Sequence, residues 1–499
     1  MPVVRDAGPS LTQRAVIAVA LLVGFYVLGT AIAAGLVAIP WALWHYTDHV
    51  NLKIALFCVV GAGAILWGLL PRPDRFTPPG PELSATDQPE LFALLRDVAD
   101  RTKQEMPARV FLVGALNAWV AQRGGVMGIG SQRMMGVGLP LLQSLSVPEF
   151  RGVIAHEFGH YHGGDTALGP WLYRTRAAIG RTLETLAHHS EALMKPFEWY
   201  GNAFLRVTHA ISRRQEFVAD AVAAGIVGRE PMQSGLRTIH ALAGAYDAYW
   251  YTEVVPALQS GWHPPVAAGF AHFVSVPRVA TQVNEALDAA LASTAAADPY
   301  DTHPPLAERL AALDAAPAGG EAPDRRPAIS LLRDVPALEA RLLGFITEGK
   351  ALHATPWEAV ADHVYIPAWH ETRGHFLPRL AGWTVANLAS FAGNPPRLAE
   401  AWQVQIPQDA SIADATGQVG SAVGSCLASA LVVAGATVHT LPGEPVVLRF
   451  AGAELRPFEL GHGLCARDAN PGAWMASVEA LGITAVPLDA PVPPTATSD

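Results

Sequence analysis

The sequence predicts an α+β, mostly helical protein in three parts. A transmembrane helical hairpin stands at the amino end, a domain with a small sheet and an H-E-x-x-H helix follows, and a small α+β appendage closes the chain. Three observations predict this. Two long uncharged apolar runs fall within residues 15–70. The stretch Val153-Ile-Ala-His-Glu-Phe-Gly-His160 sets two histidines four apart with helical apolar spacing around them. Beyond residue 326 the chain mixes helical periods with one hairpin pattern and carries no chemical motif.

The 499 residues suffice for two or three domains. Hydrophobic residues make up 51% and the mean hydropathy is +0.23, with the excess at the amino end. A net charge of −10 argues against a general nucleic-acid binder. Cys58, Cys426 and Cys465 are widely spaced, form no CxxC and suggest no disulfide framework, which suits a reducing compartment.

Ala15 to Pro40 is about 26 residues without a charge, more than the ~20 that cross a bilayer. Trp41 and Trp44 follow it as an interfacial belt would. Ile54 to Leu70 is a second run of about 17, at the short end of the spanning range. A cleaved signal peptide competes for the first run, but the apolar core is too long and a second span follows. Arg5 and Arg14 precede the hairpin, Arg72 and Arg75 follow it, and its loop carries only Lys53 as a fixed positive charge. The positive-inside rule then puts both ends, and the domain beyond, in the cytoplasm. The expected boundaries are an anchor over 1–75, a catalytic domain over 76–325, an appendage over 326–486 and a disordered tail over 487–499.

Residues 71–86, rich in Pro, read as a linker. Asp87 to Lys103 has a helical period through Leu91, Leu94, Leu95 and Val98. Arg109 to Val113, Ala118 to Gln122 and Met134 to Leu139 read as strands, with a glycine turn at Gly124 and Gly125. The edge of such a sheet can pair with an extended peptide. Ser146-Val-Pro-Glu149 is a capping box with proline in the first turn, so the H-E-x-x-H lies on a well-started helix. On that helix His156 and His160 share one face, fit to hold one Zn²⁺ per chain, and Glu157 stands beside them as a base for a metal-bound water. Gly163 and Gly164 then break the helix, Asp165 is a supporting candidate, and Tyr161 and His162 read as packing or surface residues.

Two histidines leave a catalytic zinc site short of a third protein ligand. Residues 176–214 look amphipathic and helical with a break or kink at Pro196; their charges argue against a span, and His188, His189 and His209 fit a solvated face. Ser212-Arg-Arg-Gln-Glu-Phe-Val-Ala-Asp220 then sets Glu216 and Asp220 four apart among small and apolar neighbours. A carboxylate pair in such surroundings needs a partner. Ion pairs with Arg213 or Arg214 would serve. So would a metal, with Glu216 as third ligand and Asp220 orienting a zinc-bound histidine through its other ring nitrogen.

These pieces together resemble a family. The apolar hairpin, Asn117-Ala118, His-Glu-Phe-Gly-His, Ser-Arg-Arg-Gln-Glu-Phe-Val-Ala-Asp and Thr302-His-Pro-Pro-Leu-Ala-Glu-Arg309 look like the membrane zinc endopeptidases that include HtpX and CAAX prenyl protease 1. The resemblance covers roughly residues 90–315. It implies a zincin-like metalloprotease domain of gluzincin type with zinc on His156, His160 and Glu216, and an edge strand at Asn117 and Ala118 that binds substrate. It also suggests His303 as a group that steadies the oxyanion, with Arg309 in support; alternatively His303 merely starts a helix before Pro304 and Pro305. HtpX-like members often carry further spans between the two metal helices, and none is visible here, so neither subgroup is assigned.

Ala315 to Pro327 reads as a linker. Pro336 to Thr347 and Leu377 to Ser390 read as helices. Ile412 to Ala434 reads as a buried helix, with a third span as the alternative. Val446 to Phe450 and Leu455 to Leu460 form a hairpin across Ala451-Gly452. The function expected is a membrane-anchored zinc endopeptidase acting on protein or peptide substrates at or near the membrane, in membrane-protein quality control. A catalytically silent membrane adaptor on the same fold is the alternative. A partner for the appendage is left open.

Overall fold

The computed structural model describes residues 11–70, 74, 76–125, 130–161, 169–187, 189–292, 304–318, 324–407 and 409–492. The chain divides into two compact units, the first holding Met1–Ala243 and Asn284–Val335, the second Gly244–Val283 and Pro336–Asp499.

In the first unit the two apolar runs are α1 (Leu11–Thr47) and α2 (Leu52–Leu69). At 1.5 Å per residue α1 is about 55 Å long, well beyond the ~30 Å hydrocarbon core of a bilayer. Asn51 starts α2 by accepting the Lys53 N–H at 3.0 Å. Trp41, Trp44, Leu56, Val59 and Trp67 point outward, an apolar surface suited to lipid.

A short strand, β1 (Glu82–Leu83), lies in the stretch expected as linker. After α3 (Pro89–Thr102) come β2 (Arg109–Val113), β3 (Ala118–Arg123) and β4 (Gln132–Gly138). The sheet order is β1-β2-β4-β3, with β2 and β4 parallel and β3 antiparallel to β4. Leu91, Leu94, Leu95 and Val98 of α3 are buried as their period predicts, each contributing roughly 1.5–3 kcal/mol.

The chain then forms α4 (Leu139–Ser144), α5 (Val147–Gly159), α6 (Gly169–Ala187), α7 (Glu191–Val227) and α8 (Arg229–Tyr249). The expected break at Pro196 does not occur, and α7 runs through it. A proline this near the helix start removes one i→i−4 bond and can be carried. The break falls earlier, where the N–H groups of His189 and Ser190 both reach the Leu186 carbonyl at 2.9 Å. The solvated face expected for this region is also only partial. His189 is exposed, but α6 and the first half of α7 pack on the apolar hairpin. Phe25, Cys58 and Ile65 meet Ile179, Leu186, Phe197 and Phe204 in one buried cluster. The Tyr200 hydroxyl donates to the Leu21 carbonyl at 2.5 Å.

The chain passes through α9 (Val255–Gln259), α10 (Val266–Ser275) and α11 (Pro277–Ala292) before returning to the first unit with α12 (Leu306–Leu313). Residues 326–328 then zip onto the start of α5, with Val147 N–H bonded to Arg326 O at 2.9 Å and Ala328 N–H to Leu145 O at 2.7 Å.

The second unit adds α13 (Val335–Ile346), α14 (Ile366–Phe376), α15 (Pro395–Trp402) and α16 (Ile412–Val433). The helix expected over 377–390 is instead two 3₁₀ turns, Leu377–Arg379 and Val385–Phe391, separated at Gly382, whose φ of +75° no helix accommodates. Three described helices are long and apolar enough to cross a membrane, and α16 is one of them. Its Val419, Val423, Leu427 and Leu431 are nonetheless buried with Trp402 and Trp474 in the core of this unit. The expected hairpin is present but tighter. It pairs Val447–Phe450 with Ala453–Leu455, and the residues from Pro457 turn helical.

Candidate active site

The site is built on α5, α7 and α12. Ser146 and Glu149 close the predicted capping box, with Glu149 Oε2 accepting from the Ser146 N–H at 2.7 Å and from its hydroxyl at 2.8 Å. Each such cap is worth about 1 kcal/mol and fixes where the helix begins, hence which way the residues three turns later point. His156 and His160 lie on one face, with ring centroids 4.7 Å apart. The donor atoms of His156, Glu157 and His160 all lie within 4.8 Å of one another.

Helix α7 crosses close to α5 at Gly159. A Cβ there would stand 2.9 Å from the Ala219 Cα. This approach brings Glu216 and Asp220, both buried, against the histidines. Glu216 Oε2 is 3.5 Å from His156 Nε2, and Glu216 Oε1 is 3.6 Å from His160 Nε2. Asp220 Oδ1 is 2.9 Å from His156 Nδ1, on the far side of that ring. From α12, Arg309 pairs with both carboxylates. Its Nε and Nη2 donate to Asp220 at 2.8 and 2.6 Å, and its Nη1 stands 3.4 Å from Glu216 Oε2.

Electrostatics separates the two histidines. Burial and the nearby charge of His156 press His160 down to about 4, so it is neutral at physiological pH. Burial also opposes charge on His156, but its contacts with Asp220 and Glu216 outweigh that and lift it to about 9. Asp220, though buried, is held below the ordinary carboxylate range by Arg309 and His156.

The donor set fits a metal ion. Two imidazoles and a carboxylate are a zinc ligand set. Donor atoms on a tetrahedral zinc with bonds of about 2.0–2.1 Å are separated by roughly 3.3 Å, close to the 3.5 and 3.6 Å found here. Glu157 and Glu216 both stand near the histidines. Glu216 faces both Nε2 atoms and is buried, whereas Glu157 is only partly buried and remains accessible to a reactant.

Asn117 stands at the start of β3, its carbonyl accepting from the Gly138 N–H at 2.9 Å, and Ala118 opens the strand itself. β3 ends the sheet and packs on α5. His303, His162 and Asp165 lie outside the described residues. Tyr161, expected as a packing or surface residue, is half-buried and its hydroxyl donates to the Val120 carbonyl of β3 at 3.0 Å. Nothing in the local pattern distinguishes it from a packing residue.

Comparison with known proteins supports a membrane-associated protease. Residues 85–316 match the model of peptidase family M48. Among curated proteins it is similar to a "Protease HtpX homolog" of Paraburkholderia phytofirmans, 27% identical over 251 residues, 46% of this chain and 75% of the relative. It is also similar to a "Protease HtpX homolog" of Burkholderia multivorans, 28% identical over 181 residues, 32% of this chain and 60% of the relative. With "Protease HtpX homolog 1" of Saccharolobus solfataricus it shares 34% identity over 122 residues, 24% of this chain and 38% of the relative. No solved structure matches the chain significantly.

Proposed function

We propose that this chain is a zinc-dependent endopeptidase anchored in the membrane and acting on proteins at or near its cytoplasmic face, in the quality control of membrane proteins. The observation that carries the zinc reading is the convergence of His156 Nε2 and His160 Nε2 on the two oxygens of Glu216 at 3.5 and 3.6 Å. The names of the relatives support a protease, and the distribution of Arg5, Arg14, Arg72 and Arg75 supports the cytoplasmic side. Catalytic work would rest with residues 76–325, and residues 326–486 would screen substrates or bind a partner.

His156, His160 and Glu216 would hold a Zn²⁺, which when bound would supply Lewis-acid polarisation of the peptide carbonyl and a lowered pKa for water. Glu157 takes a proton from the attacking water and passes it to the leaving amine. Asp220 holds the His156 ring through Nδ1, and Arg309 holds Asp220 and Glu216 in place. Ala118, at the free edge of the sheet, aligns an extended substrate by main-chain pairing, and Asn117 beside it holds the start of that strand to β4. His303 follows from the family resemblance as a group that steadies the oxyanion.

The test compares the full-length wild type with Glu157→Gln for zinc content and for cleavage of casein. Both should hold one zinc, and the variant should lose about 10²–10⁴-fold in rate. A Glu157→Gln protein that cuts as fast as the wild type refutes the base. A wild type that holds zinc and cuts nothing favours the silent adaptor.

A further inference from the structure

β3 is the terminal strand of its sheet, paired with β4 alone. The Asn117 carbonyl accepts from Gly138 N–H at 2.9 Å, and the register continues as Trp119 opposite Gly136 and Ala121 opposite Met134. In an antiparallel ladder the bonded pairs alternate. Asn117, Trp119 and Ala121 therefore turn their polar groups toward β4, while Ala118, Val120 and Gln122 turn theirs toward the free edge. An extended peptide joining that edge must pair with these three residues in turn.

One of the outward groups is already engaged. The Tyr161 hydroxyl donates to the Val120 carbonyl at 3.0 Å. Tyr161 directly follows His160, so this bond ties the free edge to the end of the metal helix. The tyrosine is held from two other directions. The Arg133 guanidinium lies over its ring, 4.3 Å from the centroid, and Gln104 Nε2 donates to its carbonyl at 3.2 Å.

We infer that Tyr161 is a specificity-determining residue that limits how far a substrate strand pairs along β3. The substrate pairs at Ala118, and the Tyr161 hydroxyl occupies the next outward carbonyl, at Val120. Extension toward Gln122 would require that bond to break. The enzyme thus reads a short extended segment beside the scissile bond and gains nothing from a longer one. This rests on the reading of the chain as a peptidase whose edge strand binds substrate.

The test uses the full-length zinc-loaded protein in detergent and quenched-fluorescent peptides taken from a casein segment that the wild type cuts. The peptides are lengthened one residue at a time at either end. For the wild type, kcat/KM should level off once the pair at Ala118 is filled. For Tyr161→Phe it should rise further, with KM falling about fivefold, the worth of one net hydrogen bond, and kcat unchanged. A second measurement needs no variant to fold. Peptide bonds of the longest substrate are replaced one at a time by esters, which removes single N–H donors. The ester at the position facing Val120 should leave wild-type KM unchanged and raise that of Tyr161→Phe. Identical length profiles in the two proteins, or a wild-type KM that responds to that ester, overturn the inference while leaving the peptidase reading intact. A wild type that holds zinc and cuts no peptide overturns the peptidase reading, and this inference with it.

Discussion

Arg309 and Asp220, 89 residues apart in sequence, form a bidentate ion pair, Nε to Oδ2 at 2.8 Å and Nη2 to Oδ1 at 2.6 Å. Both are buried. Asp220 in turn lies 2.9 Å from His156 Nδ1. The pair thus links α12 to the ring of His156 through one carboxylate.

Breaking a buried pair from one side leaves an uncompensated charge and costs about 3–5 kcal/mol. Removing the partner that orients a metal ligand costs roughly 10–100-fold in metal affinity. Arg309→Ala should therefore lower both the thermal midpoint and the zinc affinity. Arg309→Lys keeps the charge but not the fork and should fall between. Thermal unfolding and competition with a chromophoric chelator measure the two effects. A variant that matches the wild type in both would mean that the pair does not organise the site.

His156 yields a pH prediction. Burial works against the charged ring, but Asp220 and Glu216 outweigh it and hold His156 at about 9, above the ordinary 6.5. In the metal-free protein it is therefore protonated at neutral pH, and a metal must displace that proton. Between about pH 6.5 and 9 zinc affinity should rise about tenfold per pH unit on this account, and about one proton should leave per zinc bound. The metal-free fold has the opposite dependence. The raised pKa contributes stability that is full below about 6.5 and is lost as pH rises through about 9. Calorimetry in buffers of different ionisation enthalpy counts the proton. Asp220→Asn, which weakens the hold on the charged ring, should release less. Equal proton release from both proteins would remove Asp220 as the cause.

Much of this site was legible because its spacing is local. His156 and His160 one helical turn apart, Glu216 and Asp220 one turn apart, and the capping box at Ser146 all follow from the 3.6-residue period. The apolar hairpin was equally plain, since charge-free length is a direct signal. What escaped depends on contacts distant in sequence. Arg309 was expected to support His303, which lies outside the described residues; its pairing with Asp220 and Glu216 was not foreseen. The packing of Phe197 and Tyr200 on α1 was hidden because α7 also carries charges, which made its face look solvated. Trp262 and His263 pair with His353 and Ala354 across a long sequence gap, and strands of two residues carry too little pattern to announce themselves. A left-handed residue at Gly382 was enough to turn a helical period into two short 3₁₀ turns.

The glycine inside the H-E-x-x-H stretch gives the last prediction. A Cβ at Gly159 would meet the Ala219 backbone, 2.9 Å from its Cα and 3.2 Å from its carbonyl oxygen. Backbone on the receiving side cannot swing away as a side chain can, so Gly159→Ala must push α5 and α7 apart. Overpacking of this kind costs about 1–3 kcal/mol. The same displacement pulls Glu216 away from His156 and His160, so zinc affinity should fall with stability. Gly152 on the same helix is the control. A Cβ there would come closest to two side chains, 3.2 Å from Val227 Cγ2 and 3.5 Å from Met232 Sδ, with the Met232 Cα at an ordinary contact distance of 3.9 Å. Gly152→Ala should therefore retain zinc and lose less stability. Ala219→Gly should rescue Gly159→Ala only in part, because it removes the opposing Cβ but leaves the Cα in place. Thermal midpoints and zinc titrations of the four proteins decide the matter. If Gly159→Ala binds zinc as tightly as Gly152→Ala, the close approach of the two helices is not what sets the spacing of the ligands.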